Sequence, residues 1–176
     1  MKKLRLATSW LDGCSGCHMS LLDMDELLLE LAPRLDLVYS PLVDRKEFPD
    51  DVDLALLEGA VSTTDDRRKA LLVRARSKLV VALGDCAVTA NVPGMRNTLD
   101  RDEMLELIYR EKADHSPGIP GENIPALLPR SLPLHQVIKV DLFLPGCPPS
   151  AKAIVQALTA VLEQRDPGGL PTLKFG

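Results

Sequence analysis

Apolar residues come in short runs along this chain, and between the runs their spacing changes from consecutive to every third or fourth position. Leu4–Ser9 reads as a first, short strand. From Cys17 to Leu31, Leu21, Leu22, Leu28 and Leu29 fall together while Asp23, Glu26 and Glu30 fall on another face. That is the period of a helix, which Pro33 stops. Asp36–Ser40 and Val52–Leu57 read as the next two strands, the second apolar nearly throughout, as in a strand covered on both faces. Thr64 is expected to cap a helix that opens on Asp65 and Asp66 and closes on Arg74, Arg76 and Lys78, charges that suit the helix dipole at each end. Leu79–Leu83 and Val140–Leu144 follow as strands four and five. Ser150 starts a closing helix that runs toward Glu163 and is ended by Asp166-Pro167-Gly168-Gly169.

Strands alternating with helices predict an α/β fold, a flavodoxin-like parallel sheet with helices on both faces. Residues 1–176 are expected to form a single domain, with a long irregular Pro-rich insert over 91–139 before the last strand and an extended tail over 166–176. One amphipathic helix is expected in the insert near Leu99–Lys112, and Pro117, Pro120, Pro125, Pro129 and Pro133 exclude regular structure from the rest. An insert of this length in one domain is usually functional or covered by a partner.

Bulk properties narrow the function. Net charge is −4, from 21 basic and 25 acidic residues, so no nucleic-acid footprint is expected. No apolar run approaches the roughly 20 residues of a membrane helix, so no membrane partner is expected either. Met1-Lys2-Lys3-Leu4-Arg5 is basic but leads into a short mixed strand and not a secretory apolar stretch, which points to the cytoplasm. One Trp, two Tyr and three Phe are few for a self-sufficient core. Either the composition is biased or a partner chain completes the core.

The chemistry lies in four cysteines, Cys14, Cys17, Cys86 and Cys147. In a doubly wound sheet ligands gather at the carboxyl ends of the strands. Cys14 and Cys17 follow strand one, Glu58 ends strand three, Cys86 follows strand four and Cys147 follows strand five, so all four thiols fall on one edge. Gly13, Gly16 and Gly84 beside them let the backbone approach a bound group and offer it amide donors. The helix beginning near Cys17 turns its positive end toward an anion. Pro148 after Cys147 keeps the chain extended and matches the Cys-Pro ending of cluster motifs. Four thiolates suffice for a [4Fe-4S] cluster. A four-cysteine zinc staple is the competing reading, although zinc sites pair two short clips and only one is present here. A disulfide is a third reading, disfavoured in a reducing compartment.

Trp10-Leu11-Asp12-Gly13-Cys14-Ser15-Gly16-Cys17, then Glu58-Gly59, then Gly84-Asp85-Cys86-Ala87, then Pro145-Gly146-Cys147-Pro148-Pro149, together resemble the small subunit of [NiFe] hydrogenases. The resemblance is to the short, single-cluster form of cytoplasmic NAD-reducing hydrogenases, and it covers the chain from Leu4 to Glu163. It implies that Cys14, Cys17, Cys86 and Cys147 ligate one [4Fe-4S] cluster in an electron-transfer subunit. The Ni–Fe centre is then expected on a large-subunit partner, and flavin and NAD on iron–sulfur/flavin diaphorase subunits. The quinone-site subunit of respiratory complex I shares the fold, but its first two ligands are adjacent cysteines, whereas Ser15 and Gly16 separate Cys14 from Cys17. Deazaflavin-linked, NADP-linked and energy-converting hydrogenases share the Cys-x-x-Cys form. A zinc-stapled scaffold without enzymatic role is the remaining alternative.

Beyond the cysteines, Glu58 could accept from nearby amides, take part in proton movement or ligate an oxidised cluster. Trp10 reads as a core or interface anchor and His18 as a structural helix-start residue that could also bond a cluster sulfur. Asp12 and Asp85 read as turn or capping groups. There is no dinucleotide-type glycine loop and no nucleophile–base pair, so no catalytic residue is expected on this chain.

Overall fold

The computed structural model describes residues 3–165. The 166–176 tail and the turn expected to end the last helix lie outside the described residues. The strands are β1 (Leu4–Trp10), β2 (Leu35–Tyr39), β3 (Val52–Glu58), β4 (Val61–Thr63), β5 (Ser77–Leu83), β6 (Leu127–Leu132) and β7 (Leu142–Leu144). The α-helices are α1 (Gly16–Leu22), α2 (Glu26–Leu31), α3 (Thr64–Arg76), α4 (Asp85–Thr89), α5 (Arg101–Glu106) and α6 (Ala151–Leu162).

Five strands form one sheet in the order β2-β1-β3-β5-β7, every neighbour parallel. This is the flavodoxin-type doubly wound order. The central strands are apolar throughout because both of their faces are covered. Leu54 and Leu56 of β3 pack with Leu21, Ile154 and Leu158 on one side. Ala55 and Leu57 pack with Ala70, Val73 and Leu134 on the other. Register is what positions the site. Trp10 pairs with Glu58, Glu58 with Leu83, and Leu83 with Leu144, so four strands end in one row.

Several expectations are corrected. The helix expected over Cys17–Leu31 is two helices, broken at Asp25 with φ 49°. The break shifts the helical phase, so the four leucines do not share a face. Leu21 is buried, Leu22 is exposed and Leu29 is 74% exposed, while Met24 fills the core beside the break. Thr63, not Thr64, caps α3, because its side chain accepts from the Asp66 amide while the Asp66 carboxylate accepts from the Thr63 amide. The fourth strand of the sheet opens at Ser77, and the fifth is confined to Leu142–Leu144.

The 91–139 stretch is more ordered than its prolines imply. It holds a 3-10 helix at Pro93–Thr98, α5 continuing as a single π turn at Leu107–Glu111, and β6. Strand β6 pairs antiparallel with β4, which is too short for periodicity to reveal. Pro129 is tolerated there because a two-stranded ribbon has free edges. Arg96 ties the ribbon together by donating to the carbonyls of Ser62, Leu128 and Pro129. No helix among the described residues is long and apolar enough to cross a membrane.

Asp141 closes the far edge. Its carboxylate accepts from the Val80 amide at 2.9 Å and from Arg74 at 2.5 Å. Burial pushes its pKa up, but Arg74, the Val80 amide and Lys139 together hold it below the ordinary 3.8. A carboxylate depressed on folding stabilises above its unfolded pKa, and that contribution disappears as pH falls through the folded value. Asp141→Asn should therefore destabilise at pH 7 and by much less at about pH 2–3, below the ordinary carboxylate range. Urea denaturation of both proteins checks this, and an equal loss at both pH values would refute it.

Candidate functional site

The row of strand ends delivers every cysteine from a short loop or helix start. Beyond Trp10 the chain is zipped to the turn after β3. The Leu11 amide donates to Glu58 O at 2.8 Å, and Asp12 and Ala60 exchange amide-to-carbonyl bonds of 3.1 and 2.7 Å. Gly59 makes this approach possible, since with φ +94° a side chain there would meet the Asp12 carbonyl at 2.8 Å. Cys14 is exposed and Cys17 is buried at the start of α1.

Gly84, at φ +82°, turns the chain from β5 into α4 and carries Cys86 two residues on. A Cβ on Gly84 would lie 2.2 Å from Cys17 Sγ, so the backbone of one cysteine segment packs directly on the sulfur of another. The last segment is latched to the same turn. Gly84 N donates to Leu144 O, Asp85 N donates to Gly146 O, and Gly146 N donates to the Asp85 carboxylate at 2.7 Å. Ser20 of α1 donates to Pro149 O at 2.5 Å. Asp85 thus has the turn role expected of it, and Asp12 is a backbone bridge. Pro148 is exposed while Pro149 is buried.

The four thiols sense one another. Cys17 is pushed up to about 12, first by burial, then by the Glu58 charge, and then by Cys14, Cys86 and Cys147 in turn. Cys86 is also raised, chiefly by burial, although the Val92 amide opposes the shift by hydrogen-bonding to it. In the metal-free chain the interior thiols are therefore held protonated, and a cationic metal group is what would favour four thiolates together. The donor set is all sulfur, and Gly13, Gly16 and Gly84 leave the surrounding backbone without Cβ atoms. Those features fit an iron–sulfur cluster. Among the described residues no three His, Cys, Asp or Glu side chains close on a point that would hold a single ion.

Glu58 is almost fully buried, and His18 is its anchor. The His18 amide donates to Glu58 Oε2 at 3.1 Å, and the ring Nδ1 lies 2.5 Å from the same oxygen. Ring Nε2 is 3.0 Å from Thr8 Oγ1, which donates to Ser40 Oγ at 2.8 Å. Trp10 packs edge-on against the imidazole at a centroid distance of 5.3 Å. Sequence reasoning placed Glu58, His18 and Trp10 at this edge but missed Thr8, Ser40 and Asn91. Asn91 Nδ2 lies 3.6 Å from Cys147 Sγ. Nothing in its local pattern signals this, because the two residues are brought together only by the β5–β7 pairing. Trp10, Met19, Val92, Met95 and Leu99 form exposed apolar surface on elements next to the cysteines.

The chain matches the family described as NADH ubiquinone oxidoreductase, 20 Kd subunit, over residues 14–161. It is 42% identical over 162 residues to a subunit of the F420-non-reducing hydrogenase vhu of Methanocaldococcus jannaschii, covering 91% of this chain and 56% of the relative. This chain therefore spans little more than half of that relative's length. It is 35% identical over 175 residues to the NAD-reducing hydrogenase HoxS subunit delta of Cupriavidus necator, covering 97% of this chain and 83% of the relative. Its fold superposes with a TM-score of 0.91 on a chain of an NAD+-reducing [NiFe]-hydrogenase crystallised in the H2-reduced state. The two are 36% identical, with 99% of this chain and all of the other covered.

The contact between Gly84 and Cys17 can be tested directly. Gly84→Ala should force Cys17 from its place and expose it to maleimide in the folded protein. Continued protection of Cys17 would show that the glycine is not required.

Proposed function

The chain belongs to the family of the NADH ubiquinone oxidoreductase 20 Kd subunit, alongside hydrogenase small subunits, and from that membership we propose that it is the electron-transfer small subunit of a cytoplasmic, NAD-coupled [NiFe] hydrogenase. The observation that carries this reading is the convergence of four thiols beyond one in-register row of strand ends. Cys14, Cys17, Cys86 and Cys147 hold one [4Fe-4S] cluster, and residues 1–176 act as a single iron–sulfur unit. Such a cluster supplies a one-electron store at the edge of the sheet.

The chain's own residues do the rest. Gly84 admits the Cys17 sulfur against backbone, and Asp85 pins the segment bearing Cys147. His18 holds the Glu58 carboxylate in place at the same edge. The apolar surface around Trp10, Met19, Val92 and Met95 suits burial by a large subunit that carries the Ni–Fe centre. Diaphorase subunits carrying flavin and NAD complete the electron path. Full-length similarity to a chain of an NAD+-reducing enzyme supports the choice of acceptor. A zinc staple fits less well, because structural zinc sites pair two short cysteine clips and only Cys14 and Cys17 form one here. A quinone-linked role shares the family, but the Cys14-x-x-Cys17 spacing favours the hydrogenase reading.

Metal and sulfide analysis of the native complex with visible absorption tests this. About four iron and four sulfide per chain are expected, with nickel in the large subunit. One zinc without iron would overturn the cluster, and a nickel-free complex with quinone-site partners would overturn the hydrogenase assignment. Glu58→Gln should alter the cluster's electron paramagnetic resonance or the turnover rate, and a variant unchanged in both would remove Glu58 from the functional site.

A further inference from the structure

The turn that follows α4 is held in a conformation its sequence does not favour. Ala90 has φ 66° and Asn91 has φ 23°, consecutive positive values on residues with side chains. Asn visits this region more readily than Ala, for which it carries a steric cost. Backbone bonds on both sides enforce the turn. Ala90 N donates to Cys86 O at 3.0 Å, Gly94 N donates to Ala90 O at 2.8 Å and to Asn91 O at 3.1 Å, and Met95 N donates to Val92 O at 3.0 Å. A Cβ on Gly94 would meet Ala90 Cβ at 3.3 Å, so a larger residue would crowd this fold-back.

The enforced turn aims one donor. Asn91 Nδ2 reaches Cys147 Sγ at 3.6 Å, the one hydrogen bond its side chain makes among the described residues. The turn after α4 thus serves a thiol delivered beyond the end of β7. The strained turn is retained where it directs a donor at sulfur.

We propose that Asn91 is a potential-setting residue that hydrogen-bonds the Cys147 sulfur and raises the reduction potential of the cluster that Cys147 helps to hold. The inference rests on the cluster reading above. A donor aimed at a ligand sulfur favours the more negative, reduced form, and hydrogen bonds to sulfur are among the determinants of cluster potential.

The test is a redox titration of the assembled complex, monitored by electron paramagnetic resonance, with iron and sulfide measured on each preparation. Asn91→Gly keeps the positive φ and removes the donor, while Asn91→Asp keeps the shape and replaces the donor with a carboxylate. At a fixed ambient potential, Asn91→Gly should lower the reduced-to-oxidised ratio by about tenfold, equal to 59 mV for a one-electron couple. Asn91→Asp should lower it at least as far. Unchanged ratios in both variants with full iron content would overturn the proposal. Loss of iron from both would also overturn it, by making Asn91 a clamp for the segment and not a setter of potential. A native complex without iron would instead overturn the underlying cluster assignment.

Discussion

Burial of thiols gathered beside a buried carboxylate is the constraint around which the rest of the structure is arranged. Cys17 shows its size, since burial, Glu58 and the three other cysteines push its thiol up to about 12. Such a site disfavours four bare thiolate anions, and a cationic metal group would offset their charge. The local structure keeps the sulfurs together regardless. Gly84 packs on Cys17, Asp85 latches Gly146, and Ser20 fastens α1 to Pro149. Each contact joins two cysteine segments, so the site is a property of the sheet's edge and not of any one loop.

A second charge problem lies just beneath. Glu58 sits inside the protein at the end of β3, where an unpartnered carboxylate would be expensive. His18 meets it with both backbone and ring, and Thr8 and Ser40 extend the polar chain along β1 to the end of β2. All four side chains are buried. Fully satisfied networks of this kind fix geometry, because removing any member leaves its neighbours unpaired in a medium of low polarity. The His18 ring also supports Trp10, which lies in the terminal row of the sheet and presents an apolar surface outward.

The insert between β5 and β7 contributes more than a surface. Its first turn brings Asn91 to the Cys147 sulfur, and its Arg96 binds the β4–β6 ribbon. That ribbon continues directly from Glu58 through Gly59 and Ala60. The cysteine-bearing loops and the insert therefore meet at Asn91, beside the exposed Val92 and Met95.

The doubly wound sheet and the four cysteines were legible along the chain because both depend on local facts. Strands buried on two faces are continuously apolar, and ligands are residue types that can be read at their positions. The order of strand ends placed Glu58 at the same edge for the same reason. The break at Asp25, the Thr63 cap and the three-residue β4 were hidden, since each turns on a phase or boundary that periodicity averages over. What only the tertiary structure decided are the pairings between distant segments. His18 meets Glu58 across 40 residues, and Asn91 meets Cys147 across 56. Sequence specifies what each side chain can bond. Which partner it reaches depends on strand register, and register is set by the packing of the whole sheet.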